Sequence, residues 1–247
     1  MSETGYRLVV GDKNYSSWSL RPWLLMRMFA VPFKEINVDI YRPGARARVL
    51  EHSPSGKVPA LKTGGLTIWD TLAIFEYLAE NHPDYAIWPR DSEARAMARV
   101  VSAEMHSGFD NLRSEMPMDM TGSKPVTELG KGLGHDVTRI VELWRMCRET
   151  YGSSNSGAVG QIKGSSKAQA VGQPKGAGGE FLFGAFCAAD AMFAPVTTRF
   201  RTYGVDLGTH GDDGGAQAYC EAILSLAEIE DWTQGGREEM SERGTAY

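Results

Sequence analysis

The stretch GKVPALKTGGLTIWDTLAIFEYL at residues 56–78 contains most of the signals that decide the fold. Two short β-prone runs, 60–62 and 66–69, flank a Thr-Gly-Gly turn, which is a pattern typical of a hairpin. Asp70 then provides an N-capping side chain for a helix whose apolar pattern continues to Asn81. The stretch therefore predicts a β-β-α unit.

The first forty residues predict a β-α-β unit before it. The run YRLVV at 6–10 is a short apolar strand that turn-forming residues close. Ser16 and Ser17 are hydroxyl caps ahead of a helical apolar pattern, and residues 33–40 alternate like a half-buried strand. We therefore predict an α/β N-terminal domain over residues 4–86.

Helical patterns replace strand patterns beyond residue 91, so we predict an all-helical C-terminal domain over residues 92–236. Residues 152–179 consist mainly of Gly, Ser, Ala, Gln and Lys, and they cannot bury enough apolar surface to offset the entropy of ordering them. We predict a flexible insertion there. The long helices are predicted at 94–116, 126–150, 188–203 and 216–232.

Composition and charge exclude several classes of protein. Of the 247 residues, 42% are hydrophobic and 23% are charged, as in a soluble globular protein. The net charge of −5 leaves no positive excess for nucleic acid, and no segment stays apolar for the ~18 residues of a membrane span. The N-terminus does not resemble a secretory leader, so we expect a cytoplasmic protein. The three cysteines and five histidines are scattered, which predicts reduced thiols and no metal site.

Four motifs together resemble those of the cytosolic glutathione transferase family. They are SSWSLR at 16–21, GKVPAL at 56–61, WDTLAIFEYL at 69–78 and FLFGAFCAADAMFAPV at 181–196. The first is similar to the serine motif of the zeta, theta and related bacterial classes. The resemblance implies a thioredoxin-like N-terminal domain, glutathione as co-substrate, a small electrophile as second substrate, and a homodimer.

By this resemblance, Ser16 is the catalytic residue that donates a hydrogen bond to the glutathione thiolate. A cysteine-like thiol has a reference pKa near ~8.5, so a donor beside a helix N-terminus would favour its thiolate. The positions of a C-x-x-C pair hold Ser16 and Ser19, so the thiol must come from the ligand. Ser17 either assists or caps the helix, and capping alone would explain both serines.

The other glutathione contacts follow from the same resemblance. Pro59 is expected to be cis, and Val58 is expected to pair its backbone with the tripeptide. Lys57 stands where a carboxylate end of the ligand would lie, although an exposed lysine is usually just solvated. Asp70 and Thr71 can meet the α-amino and α-carboxylate groups of the γ-glutamyl end, with helix capping as the alternative.

Four side chains are candidates for the electrophile pocket: Trp18, His106, Phe109 and Arg113. His106 lies in a segment similar to one in beta-class relatives. Core packing would explain Trp18 and Phe109 about as well. A helix histidine such as His106 is by default either satisfied in the core or exposed, and an arginine such as Arg113 more commonly forms a surface salt bridge. Trp18 stands where zeta-class proteins tend to carry cysteine, which argues against a zeta-type isomerase.

The sequence thus predicts a glutathione S-transferase that conjugates glutathione to a small electrophile. Two alternatives stay open. One is a glutathione-dependent cis-trans isomerase of the maleylacetoacetate type, and the other is a non-catalytic protein that binds glutathione or another ligand.

Overall fold

The computed structural model describes residues 5–152 and 179–244. Nearly all of the predicted insertion at 152–179 lies outside the described residues. In the described part, the N-terminal third contains a four-stranded sheet and the remainder is helical. This confirms the predicted fold class.

The sheet has the strand order β2-β1-β3-β4. β1 pairs in parallel with β2, and it pairs antiparallel with β3 on its other side. β3 and β4 form the predicted hairpin. β2 is shorter than the predicted 33–40, although the Val38 amide still donates to the Val10 carbonyl. The strands are β1 (Tyr6–Val10), β2 (Phe33–Asn37), β3 (Ala60–Thr63) and β4 (Leu66–Trp69).

Helix α1 (Ser17–Met28) lies in the centre of the molecule. It contacts β1 and the helix α3 (Thr71–Asn81) on one side and helices of the C-terminal part on the other. This position explains why α1 is buried on nearly all sides and not along one stripe. A further short helix, α2 (Ala45–Leu50), was not predicted, because only Val49 of its residues is buried.

The C-terminal part surrounds α7, in which every residue except Arg201 is buried. α7 packs against α1, α4 and α8. A short 3₁₀ helix lies at Leu207–His210. The α-helices here are α4 (Ser92–Ser107), α5 (Asp110–Glu115), α6 (Lys131–Tyr151), α7 (Ala188–Tyr203), α8 (Gly215–Leu224) and α9 (Ala227–Glu242).

Three helix predictions need correction. The predicted helix 94–116 is broken because Gly108 is extended and Phe109 adopts a left-handed conformation with φ of 62°. The predicted helix 216–232 is two helices, because Leu226 is extended between α8 and α9. α6 begins later than predicted, since the Val126 amide donates to the Tyr203 carbonyl and not within a helix.

No described helix is long and apolar enough to cross a membrane. Cys147, Cys187 and Cys220 are free and buried. Burial raises the pKa of Cys147 and of Cys220 to about 12, so both thiols stay protonated at neutral pH.

Candidate active site

Two adjoining cavities open at the N-terminal end of α1. One has a volume of about 480 Å³ and the other of about 430 Å³, and both are lined by Trp18, Lys57 and Val58. We call the first the α3 cavity and the second the α1 cavity. The α3 cavity is also lined by Ser55, Pro59, Trp69, Asp70, Thr71 and His106. The α1 cavity is also lined by Tyr15, Ser16, Ser17, Ile40, Tyr41, Ala45, Arg46, Val49 and Gly56.

Ser16 is the N-cap of α1 and lines the α1 cavity. Its Oγ accepts from the Ser19 amide at 3.3 Å and donates to Ser19 Oγ at 2.8 Å. Ser19 Oγ in turn accepts from the Gly11 amide at 2.9 Å, which ties the start of α1 to the end of β1. Ser16 therefore caps the helix and also lies where a ligand can reach it.

Ser17 has a different environment. Its Oγ accepts a hydrogen bond from Nη2 of Arg199 at 3.2 Å, and its carbonyl oxygen accepts from Nη1 of Arg21 at 3.2 Å. Arg199 lies on α7 and is 3% exposed. Arg199 is not among the candidate site residues that the sequence motifs predict. The available signal was a charged residue inside the otherwise uncharged stretch AMFAPVTTRF.

Two guanidinium groups lie close to the Trp18 ring. The Arg21 guanidinium carbon is 4.5 Å from the ring centroid and that of Arg113 is 4.8 Å from it, within the range of cation–π attraction. The His106 ring meets Trp18 edge-on, with centroids 5.1 Å apart. Trp18 is thereby fixed at the boundary between the two cavities.

Two of the four candidate electrophile contacts line the α3 and α1 cavities. Trp18 lines both, and His106 lines the α3 cavity. Phe109 is 8% exposed and belongs to the hydrophobic core. Arg113 turns towards its own helices, where it donates to the carbonyl oxygens of Gly108, at 3.0 Å, and Met105. Phe109 and Arg113 therefore line neither cavity, although the Arg113 guanidinium contacts Trp18, which lines both.

The peptide bond between Val58 and Pro59 is cis, as the resemblance implies. Val58 and the exposed Lys57 precede β3 and form the wall shared by the two cavities. The Lys57 amide donates to Ser55 Oγ at 3.1 Å. These residues lie in the groove beside Trp18, as expected for part of a peptide-binding site.

Asp70 and Thr71 lie at the far end of the α3 cavity. Asp70 Oδ1 accepts from the Leu72 amide at 2.9 Å and the Ala73 amide at 3.4 Å, so the expected helix cap is present. Asp70 Oδ2 lies 2.6 Å from His106 Nε2. Thr71 is 1% exposed, and its hydroxyl oxygen has no hydrogen-bond partner among the described residues. Because buried hydroxyl groups normally have a hydrogen-bond partner, this one is suited to bind a polar group of a ligand.

No group of His, Cys, Asp and Glu side chains in the described part of the chain is arranged to hold a metal ion. The charged and polar groups of the groove are instead suited to an organic ion. The carboxylate of Asp70 lies at one end, and the serine hydroxyls with the N-terminus of α1 lie at the other. A thiolate placed near the helix N-terminus would be stabilised by the helix dipole.

The sheet, the cis-proline loop and the α1 N-terminus define a thioredoxin-like domain joined to a helical domain. Residues 15–81 match the family described as "Glutathione S-transferase, N-terminal domain". The chain is 33% identical over 108 residues to the probable maleylacetoacetate isomerase of Caenorhabditis elegans, which is 44% of this chain and 50% of that relative. The chain thus spans about half the length of the curated relatives it matches.

Solved structures show the same fold over nearly the whole chain. A glutathione transferase homologue from Burkholderia, determined with bound glutathione, has a TM-score of 0.63 at 20% identity, covering 95% of this chain and 99% of that one. A bacterial maleyl pyruvate isomerase of the zeta class has a TM-score of 0.59 at 18% identity, covering 93% and 97%. Residues 15–81 therefore match the N-terminal domain of the glutathione S-transferase family, and the solved structures show that the fold of such proteins extends over nearly the whole chain.

Proposed function

We propose that this protein binds glutathione in the groove formed by the two cavities and transfers it to a small electrophile. The observation that carries the proposal is the placement of Asp70, Thr71, the Val58–Pro59 cis peptide and Ser16 around two adjoining cavities that share the wall formed by Trp18, Lys57 and Val58. In this orientation the γ-glutamyl end lies at Asp70 and Thr71, the cysteinyl backbone lies at Val58, and Lys57 lies near a ligand carboxylate. The thiol then lies at the N-terminus of α1.

Ser16 acts in this proposal as a hydrogen-bond donor and not as a base. Its proton leaves Ser19 Oγ and turns to the ligand sulfur, while the Ser19 amide continues to cap α1 through the Ser16 oxygen. The glutathione thiol releases its proton to solvent. The thiolate then attacks the electrophilic carbon, an S–C bond forms, and the leaving group departs with its electron pair. Binding both reactants in one groove supplies a further part of the rate.

The second candidate function is glutathione-dependent cis-trans isomerisation. The name of the Caenorhabditis elegans relative favours it. In this reaction the thiolate adds to an activated double bond, rotation follows about the resulting single bond, and the thiolate leaves again with the electrons of the S–C bond. Trp18, which stands in place of the cysteine expected in the zeta class, argues for conjugation instead.

Product analysis by NMR separates these functions. The purified protein is incubated with glutathione and, in turn, an activated aryl halide and a cis-configured maleyl-type diacid. Conjugation consumes one glutathione for each thioether formed, whereas isomerisation yields the trans diacid with no net loss of glutathione. Glutathione binding without turnover of either class would support the non-catalytic binding protein.

We further propose a cytoplasmic homodimer. Three large apolar side chains near α3 are exposed: Leu66 by 49%, Trp69 by 48% and Val100 by 55%. α3 packs against both β4 and α4, which carry these residues, so they lie on neighbouring elements. A second copy of the chain would remove this apolar surface from water.

A further inference from the structure

Three arginine side chains meet below the first turn of α1. Arg21 is fully buried, Arg199 is 3% exposed and Arg113 is half-buried. Burial lowers the pKa of all three, and for Arg199, whose pKa falls to about 10, the neighbouring Arg113 adds to the effect. The three cations therefore lie close enough to repel one another.

No carboxylate forms an ion pair with these three arginines in residues 5–152 and 179–244. Asp110 acts only on Arg113, whose pKa it raises slightly against the larger effect of burial. Nη2 of Arg21 is buried and has no hydrogen-bond partner in the same ranges. Buried cations without anionic partners are unfavourable, so an anion in the neighbouring groove would stabilise the cluster.

Arg199 connects this cluster to the groove. Its Nε donates to the Met116 carbonyl at 2.8 Å and its Nη1 to the Pro195 carbonyl at 3.1 Å, which fixes the plane of the guanidinium. Nη2 donates to Ser17 Oγ at 3.2 Å. A guanidinium has no acceptor, so the Ser17 oxygen must accept here, and the Ser17 proton is left for another partner.

The two serines of the groove therefore differ. Ser16 donates its proton to Ser19 Oγ at 2.8 Å. Ser17 lines the same cavity, and its oxygen is polarised by a buried cation. A hydroxyl whose oxygen accepts from a cation is a stronger donor, because hydrogen bonds in a chain polarise one another.

We propose that Ser17 is a second catalytic donor to the glutathione thiolate and that Arg199 is the positioning residue that orients and polarises it. This inference rests on the proposed function, because it concerns the same bound thiol. Arg199 does not touch the ligand. It holds the Ser17 oxygen so that the hydroxyl proton points away from the arginine cluster, and it supplies positive charge behind that hydroxyl.

The test is a titration of the thiolate absorbance of glutathione bound to the wild-type protein and to Ser17→Ala. We expect Ser17→Ala to raise the pKa of the bound thiol by about one unit, which lowers the thiolate fraction below that pKa about tenfold. The dissociation constant measured at low pH, where the thiol is protonated in both proteins, should change less than twofold. A purely structural role for Ser17 would alter the affinity without moving the thiol pKa.

Arg199 is tested with a charge-preserving and a charge-removing variant. Arg199→Met should raise the thiol pKa as Ser17→Ala does, whereas Arg199→Lys should restore part of the shift. Thr197→Ala is the matched control, because the Thr197 hydroxyl is also buried on α7 but donates only to the Ala194 carbonyl of its own helix, at 2.8 Å. Should Arg199→Met fail to fold, Ser17→Ala alone decides the question.

The possible outcomes separate this inference from the proposed function. If wild-type protein does not lower the pKa of bound glutathione, the proposed function fails. If it does, and Ser17→Ala leaves the lowered value unchanged, the proposed function stands and the role of Ser17 and Arg199 is refuted. A raised value in Ser17→Ala and in Arg199→Met, with Thr197→Ala unchanged, supports it.

Discussion

Asp70 shows how a single side chain serves two purposes at the groove. Oδ1 accepts from two backbone amides at the start of α3, and Oδ2 faces His106. The first contact is local and stabilises the helix end. The second joins the start of α3 to α4 in the C-terminal part. In the proposed complex, the ligand ammonium competes with His106 for that oxygen.

Replacing Asp70 with asparagine separates the two purposes. The amide oxygen of Asp70→Asn can still cap α3, so we expect the free energy of unfolding to fall by less than about 1 kcal/mol. The lost charge should weaken glutathione binding about tenfold, because charge-assisted hydrogen bonds are the stronger ones. Calorimetric titration and thermal unfolding measure the two effects. Asp91→Asn is the control, since Asp91 caps α4 in the same way but lies outside both cavities. An equal loss of glutathione affinity in both variants would refute the role of the Asp70 charge.

Replacing Thr71 should affect the stability of the protein and its affinity for glutathione in opposite directions. Its buried hydroxyl has no partner in the described part of the molecule, so Thr71→Val should leave the stability unchanged or raise it by about 0.5–1 kcal/mol. The same variant should weaken glutathione binding several-fold, because a donor to the ligand carboxylate is lost. Denaturation and calorimetry are both needed. An unchanged affinity would mean that Thr71 does not contact the ligand.

Some candidate site residues can be predicted from local sequence patterns, and others can be recognised only in the folded structure. Ser16 and Asp70 stand at helix N-caps, which a local sequence pattern locates, whereas the cis conformation before Pro59 was expected only from the family resemblance. Arg199 lies behind the α1 cavity, on a helix 182 residues away along the chain from Ser17, and it reaches Ser17 through a contact that only tertiary packing creates. A local pattern cannot predict such a contact.

At the scale of a single element, the start of α7 depends on Asp190. Its Oδ1 accepts from the Leu182 amide at 3.0 Å and its Oδ2 from the Cys187 amide at 2.8 Å. Burial raises the pKa of Asp190 to about 6, although these two amides oppose the change. The buried Asp190 side chain therefore fixes the backbone at two points, Leu182 before α7 and Cys187 at its N-cap.

This raised pKa predicts a pH-dependent stability. The native state keeps the Asp190 proton up to about pH 6, whereas the unfolded chain loses it near pH 4. The contribution of Asp190 to the free energy of unfolding is thus fully present below pH 4 and falls as the pH rises to about 6, by roughly 1–3 kcal/mol. Asp190→Asn removes this titration.

The comparison is made by chemical denaturation of both proteins between pH 4 and pH 7. We expect Asp190→Asn to be destabilised more at pH 4 than at pH 7, because only the wild type gains from protonation. A difference between the two proteins that does not vary with pH would contradict the assignment.

Element boundaries were predicted well where a local cap marks them. α3 begins after the Asp70 cap and α7 ends at Gly204, which adopts a left-handed φ of 61°. The break at Phe109 was missed, because a left-handed conformation is unusual for a bulky residue and the apolar period continues across it. Burial of Phe109 and Leu112 in the same core compensates for this conformation.

At the scale of the whole molecule, the loop before Ser16 is fixed from two sides. The side-chain Nδ2 of Asn14 donates to Asp119 Oδ1 at 2.9 Å, and the buried Asp12 pairs with Arg243 beyond the end of α9. The end of the chain and the segment after α5 therefore hold the first turn of α1 in position. His106 of α4 lines the α3 cavity together with residues of the N-terminal domain, so both parts of the chain contribute to the walls of the two cavities.

The proposed homodimer is tested by placing a charge on the exposed apolar surface near α3. Val100→Arg should shift the protein to a monomer in sedimentation velocity, because a buried unpaired charge disfavours the interface. Val126→Arg is the control, since Val126 is 37% exposed and lies beside the end of α7. A dimer that persists in Val100→Arg would place the interface elsewhere.

In the proposed function, the N-terminus of α1 stabilises the thiolate of bound glutathione. The most direct measurement is the thiolate absorbance of bound glutathione as a function of pH, for the wild type and for Ser16→Ala. The proposal predicts a bound-thiol pKa clearly below the free value of roughly 8.5, and a return towards that value in Ser16→Ala. Glutathione that binds with an unshifted thiol pKa, or that does not bind, would contradict it.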